Sequence, residues 1–358
     1  MKTIMILAAA LSLNGVEFHI SSRMSNILQR IGCALIIAFT GTLYAQDYPF
    51  DRAGFDKLEI PGQKCTGFYN SPAWKCEPIT LPAYLMKASD QAALVFISHG
   101  SQGLDKRHGD YARQLVKNGM NAVVLGHWEA RGLGKIQFDY DKARRQGGDS
   151  PNQAMDVLTA ATYFKTLPEW TTTKIGHIGE SMGGTTAMNL TRPYLRRAFN
   201  DLYGKPPAQL DAVVALYAGC TERNTAEVFL PIPLMFLHGE DDDDTLASDC
   251  QKQMPWMNGR GGRTSITILP GQLHDFDAPY RWARWRVENP AKCANLLDTG
   301  TYTLEVNGAK YPGTSEGYAQ MRKDCIAMTR SGVMSGNKGE PKTGYGEWTV
   351  FFKKQLLE

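Results

Sequence analysis

The sequence predicts a doubly wound α/β fold built on a mostly parallel sheet. Short runs that are apolar throughout recur along the chain, and amphipathic helical segments stand between them. Strands that are apolar at every position are typical of a parallel sheet covered by helices on both faces. The predicted strands are 92–98, 121–125, 174–179, 211–217, 233–237 and 265–269, and the predicted helices are 107–118, 152–166, 182–190 and 246–256.

Composition and charge exclude several classes of protein. The chain has 358 residues, of which 43% are hydrophobic and 21% are charged, and its formal net charge is +3. This balance excludes a disordered polar chain, a collagen-like repeat and a multi-span membrane protein. So small a net positive charge does not indicate a nucleic-acid-binding protein, and we expect no nucleic-acid partner.

The N-terminal segment has the pattern of a secretory signal. Basic residues precede an apolar stretch at 31–43, and the small residue Ala45 follows it before the chain turns polar. The stretch is short for a membrane span. We predict that residues 1–46 form a signal peptide, with Met24 as a second possible start and an uncleaved anchor helix as the alternative. The predicted location is secreted or periplasmic, without stable membrane insertion after cleavage.

Export affects the interpretation of the cysteines. Removal of the signal leaves six of the seven cysteines, and an even number in an oxidising compartment favours disulfide bonds. The preferred pairing joins neighbours in sequence, as Cys65–Cys76, Cys220–Cys250 and Cys293–Cys325. The chain has no Cys-x-x-Cys sequence and its histidines are scattered, so we expect no zinc site.

Residues 47–358 are expected to form a single domain. Its Pro/Gly-rich beginning, 47–82, lacks sustained periodicity and is predicted to supply short edge strands. Residues 286–343 are predicted to be an excursion before a closing helix near 344–357. We expect this excursion to form either a lid or an edge hairpin.

The strongest chemical signal is a serine in a glycine-rich turn. The sequence Gly179-Glu-Ser-Met-Gly-Gly184 follows a predicted strand and begins a predicted helix. A G-x-S-x-G sequence in this place makes a sharp turn that lifts the serine hydroxyl above the sheet edge. Glycines are needed because side chains would clash in so tight a turn. We predict that Ser181 is a nucleophile; the alternative is a glycine-rich turn with an incidental serine.

An acid and a base follow Ser181 in the order that this type of site requires. A serine hydroxyl becomes a good nucleophile when a base takes its proton, and in this fold the acid precedes the histidine. The acidic run 240–244 follows one predicted strand, and His274 follows the last one. The alternatives are a solvated acidic run or loose cation site and a surface histidine. The order of the three strand ends favours a triad.

Two backbone N–H groups are expected to form an oxyanion hole. A tetrahedral intermediate carries negative charge on the former carbonyl oxygen, and nearby donors stabilise it. One donor is expected from Met182, directly after the serine, and the other from the loop 99–103 after the first parallel strand. We favour the N–H of Ser101, with Gln102 as the alternative. The alternative for this loop is an ordinary strand-end turn.

Several segments together resemble the dienelactone hydrolase family of α/β-hydrolases. These segments are His99-Gly-Ser-Gln-Gly103, Val123–Gly132, Gly179-Glu-Ser-Met-Gly-Gly184, Gly239-Glu-Asp-Asp-Asp-Asp-Thr245 and Pro270-Gly-Gln-Leu-His-Asp-Phe276. The resemblance covers about residues 79–285 and the closing helix. It implies a doubly wound, mostly parallel sheet of the α/β-hydrolase type.

The resemblance also implies a reaction and a choice of acid. In the family the acid stands three residues after the strand-end glycine, which favours Asp242 and leaves Asp241 and Asp243 as alternatives. The namesake enzymes use a cysteine nucleophile, whereas this chain has Ser181. The predicted function is hydrolysis of small-molecule carboxylic esters by a triad of Ser181, Asp242 and His274 through an acyl-enzyme. No metal or organic cofactor is expected. The alternatives are a serine peptidase of the same fold and a non-catalytic binding protein.

Four side chains are candidates to line the substrate pocket. His127 and Trp128 follow a predicted strand at the same edge of the sheet, and Gln102 lies in the loop after the first parallel strand. Trp282 stands shortly after His274, three residues before Trp285. Such a tryptophan pair is often used to pack a helix onto the body of a protein, which is the alternative interpretation.

Overall fold

The computed structural model has strands and helices in alternation around a central sheet. In chain order, the strands are β1 (Asp56–Thr66), β2 (Lys75–Met86), β3 (Leu94–Ser98), β4 (Asn121–Leu125), β5 (Ile175–Glu180), β6 (Ala212–Leu216), β7 (Glu222–Asn224), β8 (Pro233–Gly239), β9 (Arg263–Leu269), β10 (Ala283–Trp285), β11 (Asn295–Asp298), β12 (Thr303–Val306), β13 (Ala309–Pro312) and β14 (Val333–Ser335). The helices are α1 (Lys106–Lys117), α2 (Tyr140–Arg145), α3 (Ser150–Phe164), α4 (Met182–Asn189), α5 (Pro193–Tyr203), α6 (Ala247–Asn258), α7 (Ser315–Ala327) and α8 (Tyr345–Phe352).

The structure describes residues 48–67, 74–134, 140–224, 228–285, 295–298, 303–306, 308–312, 315–327 and 333–358. All of them belong to one compact unit, Ala45–Glu358. The predicted signal peptide, 1–46, lies outside the described residues. Within the described ranges, no helix is both long and apolar enough to cross a membrane.

The central sheet has eight strands in the order β1-β2-β4-β3-β5-β6-β8-β9. The six strands from β4 to β9 in this order pair in parallel, while β1 and β2 are antiparallel to their neighbours. Every residue of β3, β4, β5 and β6 is buried. The predicted doubly wound, mostly parallel sheet is therefore confirmed.

Two hydrophobic cores cover the two faces of this sheet. On one face, helices α3, α4, α5 and α6 pack against it, as shown by the edge-to-face contact of Phe96 with Phe164, whose ring centroids are 5.6 Å apart. On the other face, helices α1 and α8 form the core around Tyr111 and Trp348. Because helices cover both faces, the apolar strands are buried on both sides, as the sequence pattern predicts.

The beginning of the domain differs from the expectation of short edge strands. β1 and β2 are 11 and 12 residues long and form a continuous antiparallel hairpin at the sheet edge. Their central residues alternate between buried and exposed positions only partly, and Pro and Gly interrupt the pattern, so the periodicity was weak in the sequence. The helix α5 and the short strand β10, which follows Trp282, were also not predicted.

Two of the predicted disulfide bonds are confirmed. Cys65 is bonded to Cys76 across the β1–β2 hairpin, and Cys220 is bonded to Cys250 on α6. Cys325 is also disulfide-bonded. Its predicted partner, Cys293, lies outside the described residues.

Two further small sheets lie outside the central one, and all of their strands except β7 come from the chain between β9 and α8. In one of them β7, β11, β12 and β13 are neighbours, and α7 packs on it through a small core that includes Leu304 and Met321. In the other, β10 pairs with β14, which returns the chain toward the central sheet. That this excursion serves as a lid or as an edge hairpin stays a prediction.

We expect that replacing both cysteines of the hairpin (Cys65→Ser with Cys76→Ser) lowers the free energy of unfolding by about 2–3 kcal/mol. The disulfide closes a short loop, and its loss returns conformational freedom to the unfolded chain. Urea denaturation without reductant measures the change. The neighbouring facing pair Lys64 and Glu77, an ion pair in which Glu77 is exposed and Lys64 partly exposed, provides the control. Its double serine variant should lose less than about 1 kcal/mol, and equal losses for the two variants would contradict a role of the disulfide.

Candidate active site

Ser181 stands at a sharply strained turn between β5 and α4. Its φ is 52° and its ψ is −112°, a conformation that residues with side chains rarely adopt. A Cβ atom on Gly179 would lie 2.2 Å from the carbonyl oxygen of Gly183, and one on Gly183 would lie 2.4 Å from that of Ser98. Only glycine fits at these two positions. The turn therefore presents the serine side chain at the C-terminal edge of the sheet.

The structure brings His274 and Asp242 to this serine. The Nε2 atom of His274 is 3.1 Å from Ser181 Oγ, and its Nδ1 atom is 3.0 Å from Asp242 Oδ2. His274 follows β9 and Asp242 follows β8, so all three side chains come from C-terminal ends of parallel strands. The carboxyl ends of such strands meet at one edge of the sheet, which is where ligands bind in open α/β folds.

The carboxylate of Asp242 is held by its own loop. Its Oδ1 atom accepts hydrogen bonds from the backbone N–H of Asp244 at 3.0 Å and of Thr245 at 2.8 Å. The Thr245 hydroxyl donates to Oδ2 at 2.9 Å. These bonds orient the carboxylate toward the Nδ1 atom of His274.

The other acids of the run have different partners. Asp241, which is exposed, lies 3.3 Å from Lys338 Nζ. Asp243 accepts a 2.8 Å hydrogen bond from the N–H of Met334 on β14. Asp241 thus pairs with a lysine and Asp243 with a strand backbone, whereas Asp242 contacts the histidine.

Asp244 is a residue of the site that the sequence analysis did not single out. Its Oδ2 atom is 3.6 Å from His274 Nε2, and its side chain is 19% exposed. It lines the cleft beside Ser181. The sequence placed it in a run of four identical residues, and only the course of the loop shows that its side chain turns toward the histidine.

The charges around His274 shift its titration strongly. Burial lowers the pKa of His274, but the negative charges of Asp242 and Asp244 outweigh burial and raise this pKa to about 10. Burial raises the pKa of Asp244 to about 6, against the opposing effect of the His274 charge.

The loop 99–103 is joined to the serine turn by Glu180. The N–H of Gly100 donates a 2.5 Å hydrogen bond to Glu180 Oε1, and a Cβ atom on Gly100 would collide with that carboxylate at 2.3 Å. The structure places Ser101 and Gln102 on the lining of the cleft, and Met182 begins α4. Glu180 thus holds the backbone of Gly100, the residue directly before Ser101.

A buried ionic network lies beneath the cleft. Arg107 on α1 is 2% exposed and contacts Asp105 at 3.0 Å and Asp275 at 2.7 Å. It also donates to the Tyr217 hydroxyl at 3.0 Å. Burial opposes the charge of Asp105, but Arg107 and the neighbouring His108 outweigh it and keep the pKa of this carboxyl below its usual range. The network fixes Asp275, the neighbour of His274, in place.

The cleft is lined mainly by polar side chains. Its lining is formed by Ser101, Gln102, Arg107, Glu180, Ser181, Asp244, His274, Asp275, Val333 and Ser335. Val333 and Ser335 come from β14, the strand that returns from the excursion. Gln102 is bound within the lining, where its Nε2 atom donates to the Tyr280 hydroxyl at 2.9 Å.

Three of the predicted pocket residues lie elsewhere. His127 is fully buried, with Nδ1 2.8 Å from Asp156 and Nε2 2.9 Å from Ser98 Oγ. Trp128 is also buried and donates to the carbonyl of Gly148. Trp282 is 49% exposed and is not part of the cleft lining. The expectation that His127 and Trp128 face the cleft is corrected, because interior partners hold both side chains.

One buried group in the described part of the chain has the composition of a metal site. The ligand atoms of Cys220, His238 and Cys250 lie within 4.8 Å of one another. The two sulfur atoms are bonded to each other, so neither is a thiolate that could bind a metal ion.

The fold and the strand-end cleft define an α/β-hydrolase. The sequence profile of the dienelactone hydrolase family matches residues 81–299, so the chain belongs to the dienelactone hydrolase family and is a hydrolase. This bears out the resemblance found in the sequence motifs. A comparison with curated protein sequences gave no match.

Solved structures with similarity to this chain have low sequence identity. A putative dienelactone hydrolase from Klebsiella pneumoniae is 14% identical, with 63% of this chain and 90% of that chain covered and a TM-score of 0.42. A dienelactone hydrolase from Anabaena variabilis is 17% identical, with 62% and 91% covered and a TM-score of 0.41. The esterase Est2 from Thermogutta terrifontis is 15% identical, with 64% and 85% covered and a TM-score of 0.45.

We expect that Arg107→Met lowers the free energy of unfolding by about 3–5 kcal/mol, because it leaves buried carboxylates without their cation. Thermal and urea denaturation at neutral pH measure the loss. Arg113→Met on the same helix is the control, since Arg113 is 41% exposed and forms a surface ion pair with Asp110. That variant should lose less than about 1 kcal/mol. A similar small loss for Arg107→Met would contradict the importance of the network.

Proposed function

We propose that this protein is a serine hydrolase that acts on small-molecule carboxylic esters through Ser181, His274 and Asp242. The observation that carries the proposal is the continuous pair of hydrogen bonds, 3.1 Å and 3.0 Å long, that joins the three side chains beside a cleft. Membership of a hydrolase family supports the reaction class. The strained turn at Ser181 supports its role, since such turns expose nucleophiles in this fold.

The acylation step begins with proton transfer. His274 Nε2 takes the proton of Ser181 as Oγ attacks the carbonyl carbon of the ester, and the carbonyl π electrons move to the oxygen. Asp242 holds His274 in the tautomer that has its proton on Nδ1 and stabilises the imidazolium that forms. The N–H groups of Ser101 and Met182 stabilise the oxyanion, helped by the partial positive charge at the start of α4.

The second half of the reaction repeats this chemistry with water. Collapse of the tetrahedral intermediate breaks the bond to the alcohol oxygen, which takes the proton from His274 Nε2 and leaves an acyl-enzyme on Ser181. His274 then takes a proton from water, and the hydroxide attacks the acyl carbonyl carbon. The second tetrahedral intermediate then collapses: its bond to Ser181 Oγ breaks, Oγ takes the proton from His274 Nε2, and the carboxylic acid is released. The nucleophile, the base and the oxyanion donors of this scheme are groups of the chain itself.

We also propose that the protein is exported to an oxidising compartment. The disulfide bonds Cys65–Cys76 and Cys220–Cys250 support this location, because such bonds persist outside the reducing cytoplasm. The signal-like pattern of residues 1–46 supports it independently. Sequencing of the mature N-terminus from the exported fraction tests the proposal.

We expect that Ser181→Ala lowers kcat/KM for 4-nitrophenyl acetate by at least about 10³-fold, since no hydroxyl remains to form the acyl-enzyme. The folded state should be retained, because the side chain is partly exposed on a turn. Hydrolysis rates and circular dichroism measure both effects.

Ser248→Ala, at an exposed serine of α6, is the matched control and should keep the activity of the unmodified protein. Undiminished hydrolysis by Ser181→Ala would contradict the proposed nucleophile.

A further inference from the structure

His274 lies between two carboxylates that face its two ring nitrogens. Asp242 is on the Nδ1 side, 3.0 Å away. Asp244 is on the Nε2 side, 3.6 Å away, and this is the same nitrogen that contacts Ser181 at 3.1 Å. The proposed triad uses Asp242 and leaves Asp244 without a role. Asp244 lies beside Nε2, the ring nitrogen that exchanges a proton with Ser181 in the proposed reaction, and this place indicates a role in that proton transfer.

The other charged and titratable groups near this pair have partners of their own. Asp275, next to His274, and Glu180, on β5, both face Arg107, which lies on α1. Tyr217, at the end of β6, packs its ring against His274 and donates its hydroxyl proton to Asp277. The remaining neighbours are His238 on β8, whose pKa burial lowers to about 4, and Asp242 and Asp243 of the acidic run. The cation that faces Asp244 is thus His274.

We propose that Asp244 is a positioning residue that stabilises the protonated form of His274 during ester hydrolysis. The inference rests on the proposed function. When His274 takes the proton of Ser181, both ring nitrogens carry hydrogen, and the Nε2–H lies beside the Asp244 carboxylate. The attraction between them is stronger for the imidazolium than for the neutral imidazole. Asp244 therefore stabilises the transition state more than the ground state, which is the condition for faster catalysis.

The same attraction has a consequence for the pH dependence. A negative charge beside Nε2 favours the protonated form of His274, so the pKa of His274 rises and the neutral base becomes available at higher pH. Removing the charge destabilises the imidazolium, and the pKa of His274 falls. We therefore expect opposite effects on two quantities: the base form becomes available at lower pH, but the limiting rate falls because the charged transition state loses a partner.

The test compares Asp244→Asn with the unmodified protein in the pH profile of kcat/KM for 4-nitrophenyl acetate. The ascending limb should move to lower pH by about one unit, and the plateau should fall by about tenfold. Asp244→Glu keeps a negative charge, so its ascending limb and its plateau should stay close to those of the unmodified protein. Asp241→Asn is the control, because Asp241 is exposed and pairs with Lys338, and it should leave the profile unchanged. Asp244→Ser provides a second neutral variant should the asparagine variant not fold.

An NMR titration of the His274 imidazole in the same variants separates this inference from the proposed function, since it needs no turnover. A lower pKa of His274 in Asp244→Asn supports the inference even if Ser181 proves unreactive. An unchanged His274 pKa, or an unchanged ascending limb in an active protein, overturns it.

Discussion

The turn at Ser181 is the constraint on which the rest of the site depends. A residue with a side chain is held at positive φ between β5 and α4, and this costs conformational energy that the surrounding packing must offset. Gly179 and Gly183 permit the turn because a Cβ atom on either would overlap a carbonyl oxygen. The turn fixes the start of α4, the direction of the serine hydroxyl and the place of Glu180, which binds the loop 99–103.

The parallel sheet explains how distant segments meet at this turn. Ser181, the acidic run and His274 follow three parallel strands, so their loops share one edge of the sheet. A buried ionic network beneath this edge contributes to the charge distribution around the site. Arg107 is buried among carboxylates, and it binds Asp275, the residue after His274. The histidine is thus held in place by the backbone of a neighbour whose own side chain is bound to a buried cation.

The fold and the three residues of the proposed triad could be predicted from the sequence because the signals for them are local. Apolar strands, a glycine turn and polar residues at strand ends are local signals. The side-chain directions were not accessible, because they depend on the course of loops. His127 turned into the interior toward Asp156, and Asp244 turned toward His274 from within a run of identical residues. The length of the β1–β2 hairpin was missed because Pro and Gly weaken its alternation.

The most direct test of the central claim, that His274 activates Ser181, is covalent labelling with a fluorophosphonate followed by peptide mass spectrometry. In the unmodified protein the label should be found on Ser181, and in His274→Ala the rate of labelling should fall by at least about 10²-fold, because the hydroxyl has lost its base. Labelling of another residue, or equally fast labelling without the imidazole, would contradict the account.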